Sequence, residues 1–458
     1  MIVKNDIPLF DLLDKIINID IIMIIVAGVI LIAAIVWKRQ KTDTPNDSVH
    51  IGKKGQAAGV IFGIDGKQFA YSPESDEGHV VVVGGSGLGK TSAMLVATLR
   101  SWNGTAFVID ISGDIGKNVP NMDKLVFDVE NPKSAPYNIF APIDDATDII
   151  NKNELLEQLA YMIMPDSAAD SDTTAFFTGE GRKMFTAALI TYYHADKDFI
   201  DICKCIVGHD WRDLLNNIVA CDNQQAIMYI SSFMGVNERN TAGCKQAVDK
   251  AIILFATNAR LEKTIRRPQK DEECICAAML ENTSVFVTLP DAKLEIYAPL
   301  LNIITAQFLI YMSGRPEDCK SNILFCLDEF ASFGRMEITA AMRKLRKRHI
   351  RIMVCTQSIA DIDLIYGISE RRVIMDNIKF KDVLGCNAPD TQEYFSKLIG
   401  EKEDIRLTVS RKSGERTYSE SPHNVRICPP AELAQLGEYL YLIYPEGAKK
   451  LKKNYFFK

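Results

Sequence analysis

The sequence predicts an α/β fold: a largely parallel sheet, interrupted by an inserted all-α domain and preceded by one N-terminal transmembrane helix. Three observations lead there. Continuous apolar runs of strand length recur along the chain, each followed by a turn and a helical pattern, as parallel strands buried on both faces require. That alternation stops between about residue 150 and residue 262, where apolar positions repeat at helical spacing. Near the start, Ile21 to Trp37 form 17 consecutive uncharged, largely aliphatic positions.

With 458 residues, 47% hydrophobic and 24% charged, the chain is neither disordered nor fibrous and is long enough for two or three domains. Its 53 basic and 59 acidic residues give a net charge of −6, which excludes nucleic-acid binding by blanket positive charge and leaves only local contacts. Among eleven cysteines, Cys203/Cys205 and Cys274/Cys276 are spaced C-x-C and no C-x-x-C occurs, so neither a disulfide framework nor a zinc site is expected.

Residues 1–41 read as a membrane anchor with its span at 21–37. A helix of that length covers about 25 Å, slightly short of a hydrocarbon core, with Trp37 suited to the interface. A signal peptide would begin basic; here residues 1–20 carry two lysines and four aspartates, and Lys38, Arg39 and Lys41 follow the run. Those cations place the large body in the cytoplasm. Leu9, Leu12, Leu13, Ile16 and Ile17 mark a short amphipathic helix ahead of the span. Residues 42–55 are polar and read as a linker. Strands are expected at His79–Val83, Ala106–Asp110, Leu125–Val129, Ser284–Leu289, Ile323–Asp328, Ile350–Cys355 and Asp382–Cys386. They divide a nucleotide-binding domain into a first part, 56–150, and a second part, 263–458. Between them, 151–262 reads as the all-α domain, with Phe177, Met184, Phe185, Leu189 and Tyr192 on one helix face. It holds 10 basic and 15 acidic residues, so most of the net charge resides there and a general phosphate-binding surface is not expected.

The motif that carries chemistry is Gly84-Gly85-Ser86-Gly87-Leu88-Gly89-Lys90-Thr91, a complete G-x-x-x-x-G-K-[ST] between an all-valine strand and a helical pattern. Glycines let the backbone curl so that its N–H groups face a phosphate, and the helix start adds positive potential. Lys90 is expected to bridge the β- and γ-phosphates of ATP, and the Thr91 hydroxyl to ligate Mg²⁺. A neighbouring strand ends in Asp328-Glu329, where Asp328 would hold the metal's water shell and Glu329 polarise the attacking water. Gln357 stands at the tip of the following strand, placed to touch the γ-phosphate or its water. The basic run Arg343-Lys344-Leu345-Arg346-Lys347-Arg348 has three readings: a solvated face, an arginine finger for a neighbour's γ-phosphate, or a local strip for a nucleic-acid backbone.

Together these residues resemble the conjugative and type IV secretion coupling ATPases, the TraG/TraD family of membrane-anchored, RecA-like P-loop motors. The resemblance covers roughly 56–458. It rests on His79 to Gly84 before the loop, Val108 to Asp114 as the strand-end D-x-K-G-[ED] segment, and Ser134-Ala135-Pro136-Tyr137-Asn138 as the S-x-x-[WY]-N turn. Asp328-Glu329-Phe330, Phe333-Gly334, Thr356-Gln357-Ser358 and Tyr366-Gly367 follow in the family's order. Glu432-Leu433 and Tyr439 to Ile443 resemble its closing helix and strand. The resemblance implies a homo-hexameric ring at the bacterial inner membrane that couples ATP hydrolysis to moving single-stranded DNA with attached protein, or effector proteins, into a secretion channel. Its partners would be a relaxase or relaxosome and channel components. It makes Arg346, four residues before Ile350 as in the family's R-x-x-G-I, the preferred trans-acting arginine. Two departures stand out: one span where the family has two around a periplasmic domain, and Ser112 where the D-x-K-G segment carries lysine. Two other functions suit the same residues: a DNA translocase or helicase outside secretion, and a non-translocating substrate receptor whose ATPase times release.

Overall fold

The computed structural model describes residues 48–457 except 54, 112, 167–170, 236–237, 337 and 413–414; the predicted span 21–37 and the amphipathic stretch before it lie outside the described residues. The strands are β1 (His50–Gly52), β2 (Gly59–Asp65), β3 (Gln68–Pro73), β4 (His79–Gly84), β5 (Thr105–Ile111), β6 (Lys124–Asp128), β7 (Ser284–Leu289), β8 (Ile323–Leu327), β9 (Ile350–Thr356), β10 (Ile378–Gly385), β11 (Glu401–Lys412), β12 (Glu415–Arg426), β13 (Tyr439–Tyr444) and β14 (Gly447–Lys452). Twelve of them form one sheet in the order β1-β3-β2-β14-β13-β10-β4-β9-β8-β5-β7-β6, and β11 pairs with β12 as a separate antiparallel ribbon.

From β10 through β6 every pairing in this sheet is parallel, and these are the seven strands expected from the apolar runs. Burial on both faces is the cause: all six residues of β4, all five of β8 and all seven of β9 are buried. Each valine of β4 gains about 1.5–3 kcal/mol from that burial, and the phosphate loop is anchored on it. On the other side of β10 the pairings to β13, β14, β2, β3 and β1 are all antiparallel. β1 occupies part of the stretch read as linker. The closing helix implied by the resemblance is only a 3₁₀ turn, Pro430–Ala434, before β13.

Between β6 and β7 the described residues form helices, among them Ile149–Ile163, Asp172–His194, Phe199–Gly208, Trp211–Ala220, Gln224–Ile230 and Glu238–Thr257. Their starts follow from capping: the side chains of Asp148, Ser171, Asp210 and Asn223 each accept the backbone N–H of the residue three positions ahead, satisfying donors the helix leaves open. Met184, Phe185 and Leu189 are fully buried on Asp172–His194. These helices share one continuous apolar core with the sheet. Phe140 bridges them, with its ring 5.1 Å from Tyr193 and 5.9 Å from Phe199. Among the described residues one helix, Asp291–Ser313, is long and apolar enough to cross a membrane, but Leu300, Leu301, Ile304 and Phe308 are buried in that core and the Phe308 ring lies 4.4 Å from Phe107.

The amino ends of the parallel strands are sealed by His79 and Arg351. His79 Nδ1 accepts from the Ile352 N–H at 3.0 Å, which leaves Nε2 as the donor to the Met342 carbonyl at 2.8 Å. Burial pushes its pKa down to about 4, with Arg351 and Arg346 adding to the effect, so the imidazole stays neutral at ordinary pH. Arg351 is fully buried and donates to the carbonyls of Gly78 and Pro73 at 2.9 and 3.1 Å.

Candidate nucleotide site

At the opposite edge, the loops leaving β4, β8 and β9 converge, because β4 and β8 both flank β9. The chain turns at Gly85, whose N–H donates to the Gly385 carbonyl at 3.3 Å, and closes through Leu88 N–H to Gly85 O at 3.3 Å. Gly89 then adopts φ 99°, a left-handed conformation that side chains rarely take, and the Tyr455 ring fills the space a Cβ would need. From there Lys90–Leu95 winds as a π-helical turn that continues into the α-helix Val96–Ser101.

Five of the expected site residues meet here. Lys90 Nζ donates to the Gly84 carbonyl at 2.9 Å and lies 3.6 Å from Glu329 Oε1. The Thr91 hydroxyl donates to Asp328 Oδ2 at 3.3 Å. Gln357 Nε2 donates to Glu329 Oε2 at 3.4 Å. Glu329 itself has φ 50° and ψ 44°, left-handed for a residue with a side chain, a conformation that costs on the order of 1 kcal/mol and concentrates at functional positions. Asp328 is 7% exposed. Burial first, then repulsion from Glu329, raise its pKa to about 6, opposed by Lys90, the Glu329 N–H and Thr91.

Hard oxygen donors such as the Thr91 hydroxyl and Asp328 carboxylate suit Mg²⁺, which is commonly held by one or two carboxylates plus substrate phosphates. Among the described residues no group of three or more His, Cys, Asp or Glu forms a metal cage.

Arg346 does not join this set. It stands four residues ahead of β9, whose seven residues span about 23 Å, at the amino edge of the sheet. There it lines a cleft with Arg343, Lys347, Lys381, Glu77 and Asp376. Within one chain it is out of reach of the loop.

Some residues of the site are not evident from motifs. A cavity of about 400 Å³ is lined by the phosphate loop, Asp114, Asn118, Glu329, Phe456 and Phe457. Asp110, the acidic residue of the strand-end segment, acts as a strut: its carboxylate accepts from the N–H groups of Ile115 and Gly116 at 2.9 and 2.7 Å and so fixes the short helix Asp114–Asn118. Its place in the D-x-K-G-[ED] segment was the available signal; nothing local pointed to the aromatic residues after β14.

A glycine-curled loop on a buried parallel strand, with an acidic strand end two strands away, defines a phosphate-loop α/β protein. Within that class, the chain belongs to the Type IV secretory system conjugative DNA transfer family, whose model matches residues 30–458. It is 20% identical over 402 residues to the type IV secretion system-coupling protein VirD4 of Bartonella quintana (strain Toulouse), covering 83% of this chain and 60% of that protein. It is 22% identical over 402 residues to the probable conjugal transfer protein TraG of Sinorhizobium fredii (strain NBRC 101917 / NGR234), covering 82% and 61%. The chain therefore spans about three fifths of the length of these curated relatives. Its fold is that of the bacterial conjugative coupling protein TrwBdeltaN70, with TM-score 0.69 at 18% identity over 84% of this chain and 86% of that one. TrwB in complex with ADP and Mg2+ gives TM-score 0.65 at 18% identity, covering 83% and 85%.

Proposed function

We propose that this chain is an inner-membrane coupling ATPase that binds ATP with Mg²⁺ and uses hydrolysis to drive DNA–protein or protein substrates into a type IV secretion or conjugation channel. One observation carries the catalytic part: Lys90, Thr91, Asp328, Glu329 and Gln357, from three strand ends, form one hydrogen-bonded and ion-paired set. Family membership supports the substrate class, and the TrwB complex with ADP and Mg2+ supports the ligands. The backbone of Gly85–Gly89 and the Lys90 ammonium would hold the phosphates. Thr91 and Asp328 would hold Mg²⁺, whose chemistry there is to neutralise charge on the phosphates. Glu329, oriented by Gln357, would take the proton of the attacking water. Arg346 could supply γ-phosphate charge only from a neighbouring subunit, which fits a homo-hexameric ring. The span 21–37 would tether that ring to the inner membrane, with the described body in the cytoplasm.

The test is ATP hydrolysis by the full chain in detergent, with and without single-stranded DNA or a candidate cargo protein. Stimulation by DNA supports a DNA motor, and stimulation by protein alone supports effector export. Absence of any Mg²⁺-dependent hydrolysis, basal or stimulated, sinks the proposal.

A further inference from the structure

The phosphate loop grips the part common to all nucleotides and says nothing of the base. The segment after β14 does. Phe456 N–H donates to the Ser92 carbonyl at 3.1 Å, one residue beyond the lysine and threonine of the motif, and the Tyr455 ring rests on Gly89. Arg100 locks the arrangement: its guanidinium lies 4.9 Å from the Phe456 ring and donates to the Phe456 carbonyl at 3.4 Å, while its Nε donates to the Asn118 carbonyl at 2.8 Å. One side chain thus ties the aromatic segment and the helix Asp114–Asn118 to the helix that follows the loop. Phe457 projects from this frame, its ring 5.3 Å from Phe456 at 85° and 5.4 Å from Tyr455 at 33°, and is 63% exposed. An exposed phenyl face beside a polar phosphate pocket satisfies no core contact; it is what a stacking partner requires.

We infer that Tyr455–Phe457 is the base platform of the nucleotide site, with the base stacked on Phe457 and the ribose toward Asp114 and Asn118. This rests on the nucleotide-binding function proposed above and names which residues hold the nucleoside. The Asp114 carboxylate suits ribose hydroxyl donors and would repel phosphate, so it orients the ligand with its phosphates on the loop. Every base has a π-face, so stacking without edge recognition discriminates little between purines, and ATP and GTP should bind alike.

The experiment compares ATP, GTP and inorganic tripolyphosphate binding to the full chain by calorimetry. Phe457→Ala is expected to weaken ATP and GTP by about 10- to 100-fold, as loss of one base–aromatic stack does elsewhere, and to leave tripolyphosphate unchanged. Phe457→Trp should restore wild-type affinity, with indole fluorescence quenched when ADP binds. Wild-type ATP affinity in Phe457→Ala overturns the platform while leaving the phosphate loop standing, as does equal weakening of tripolyphosphate. If neither ATP nor tripolyphosphate binds the wild-type chain, and Lys90→Ala changes nothing, the phosphate-loop function fails and the platform with it.

Discussion

Replacing Asp328 with asparagine should separate stability from metal binding. The Asp328 carboxyl titrates at about 6 in the folded chain, because it is buried beside Glu329, against about 3.9 when unfolded. A folded pKa above the unfolded one means that its stabilising share is complete below pH 4 and is lost as pH rises through 6. Two pKa units correspond to about 3 kcal/mol, the cost of keeping this carboxylate ionised in nucleotide-free protein at neutral pH. Asp328→Asn removes that cost, so at pH 7 the variant should resist urea better than wild type by up to about 3 kcal/mol and match it below pH 4. Metal binding should move the other way. Mg²⁺ competes with the proton, so the apparent affinity for Mg²⁺–nucleotide should fall about tenfold between pH 7 and pH 5 in wild type. The terminal phosphate titrates in the same range, and Asp328→Asn reports that background. Calorimetric titrations from pH 5 to 8 on both proteins give the difference directly. Equal pH profiles would refute the metal role, and a variant no more stable than wild type at pH 7 would refute the cost of burying this charge.

Lys90→Ala should lose nucleotide binding while costing only about 1 kcal/mol of stability, because Lys90 bonds the Gly84 carbonyl and Glu329 and no apolar core; retained hydrolysis would remove the loop from the mechanism. Glu329→Gln should bind ATP and fail to turn it over, checked by nucleotide trapping under single-turnover conditions, and lost binding would make Glu329 structural. Gly89→Ala should fold but bind ATP poorly, since the new Cβ would sit 2.9 Å from the Tyr455 ring at φ 99°; unchanged affinity would show that the loop conformation is not required. Arg346→Ala mixed with Glu329→Gln should recover ATPase activity that neither has alone, because one interface then pairs an intact Glu329 with an intact Arg346. Silence in mixed rings that demonstrably form would assign Arg346 elsewhere.

The legible part of the fold was the part buried on both faces. Val80 to Val83, Val285 to Leu289 and Ile350 to Cys355 carry almost no polar side chains, so burial and sequence pattern coincide. β10 starts earlier than expected because Lys379 and Lys381 interrupt its apolar run, yet Ile378 and Phe380, which alternate with them, are buried. The strands β1 to β3 carry weaker signals: β1 has only three residues, β2 is interrupted by Gly59 and Gly63, and only two of the six residues of β3 are buried. β11 and β12 pair only with each other, and their charged and polar residues leave no continuous apolar run of strand length to mark them.

At the site, residue types and order singled out Lys90, Thr91, Asp328, Glu329 and Gln357, since the phosphate loop, the Asp-Glu pair and the glutamine each follow a strand that the apolar runs mark. Their charge state was another matter. Two adjacent carboxylates face one ammonium, and without bound ligand the set carries an excess negative charge when all are ionised. Lys90 engages Glu329 at 3.6 Å, while Asp328, hydrogen-bonded to the Thr91 hydroxyl and the Glu329 N–H and only partly compensated by Lys90, bears the burial cost. On the function proposed above, a nucleotide entering the loop would draw Lys90 toward phosphate, loosening its pairing with Glu329 and leaving that carboxylate to Gln357 and water. Ligand arrival would, on that function, release the base at the moment its substrate is in place. The coupling depends on a 3.6 Å separation and on the left-handed backbone at Glu329 that holds its side chain against Lys90, and distances between residues 239 positions apart are set by strand order, not by motif.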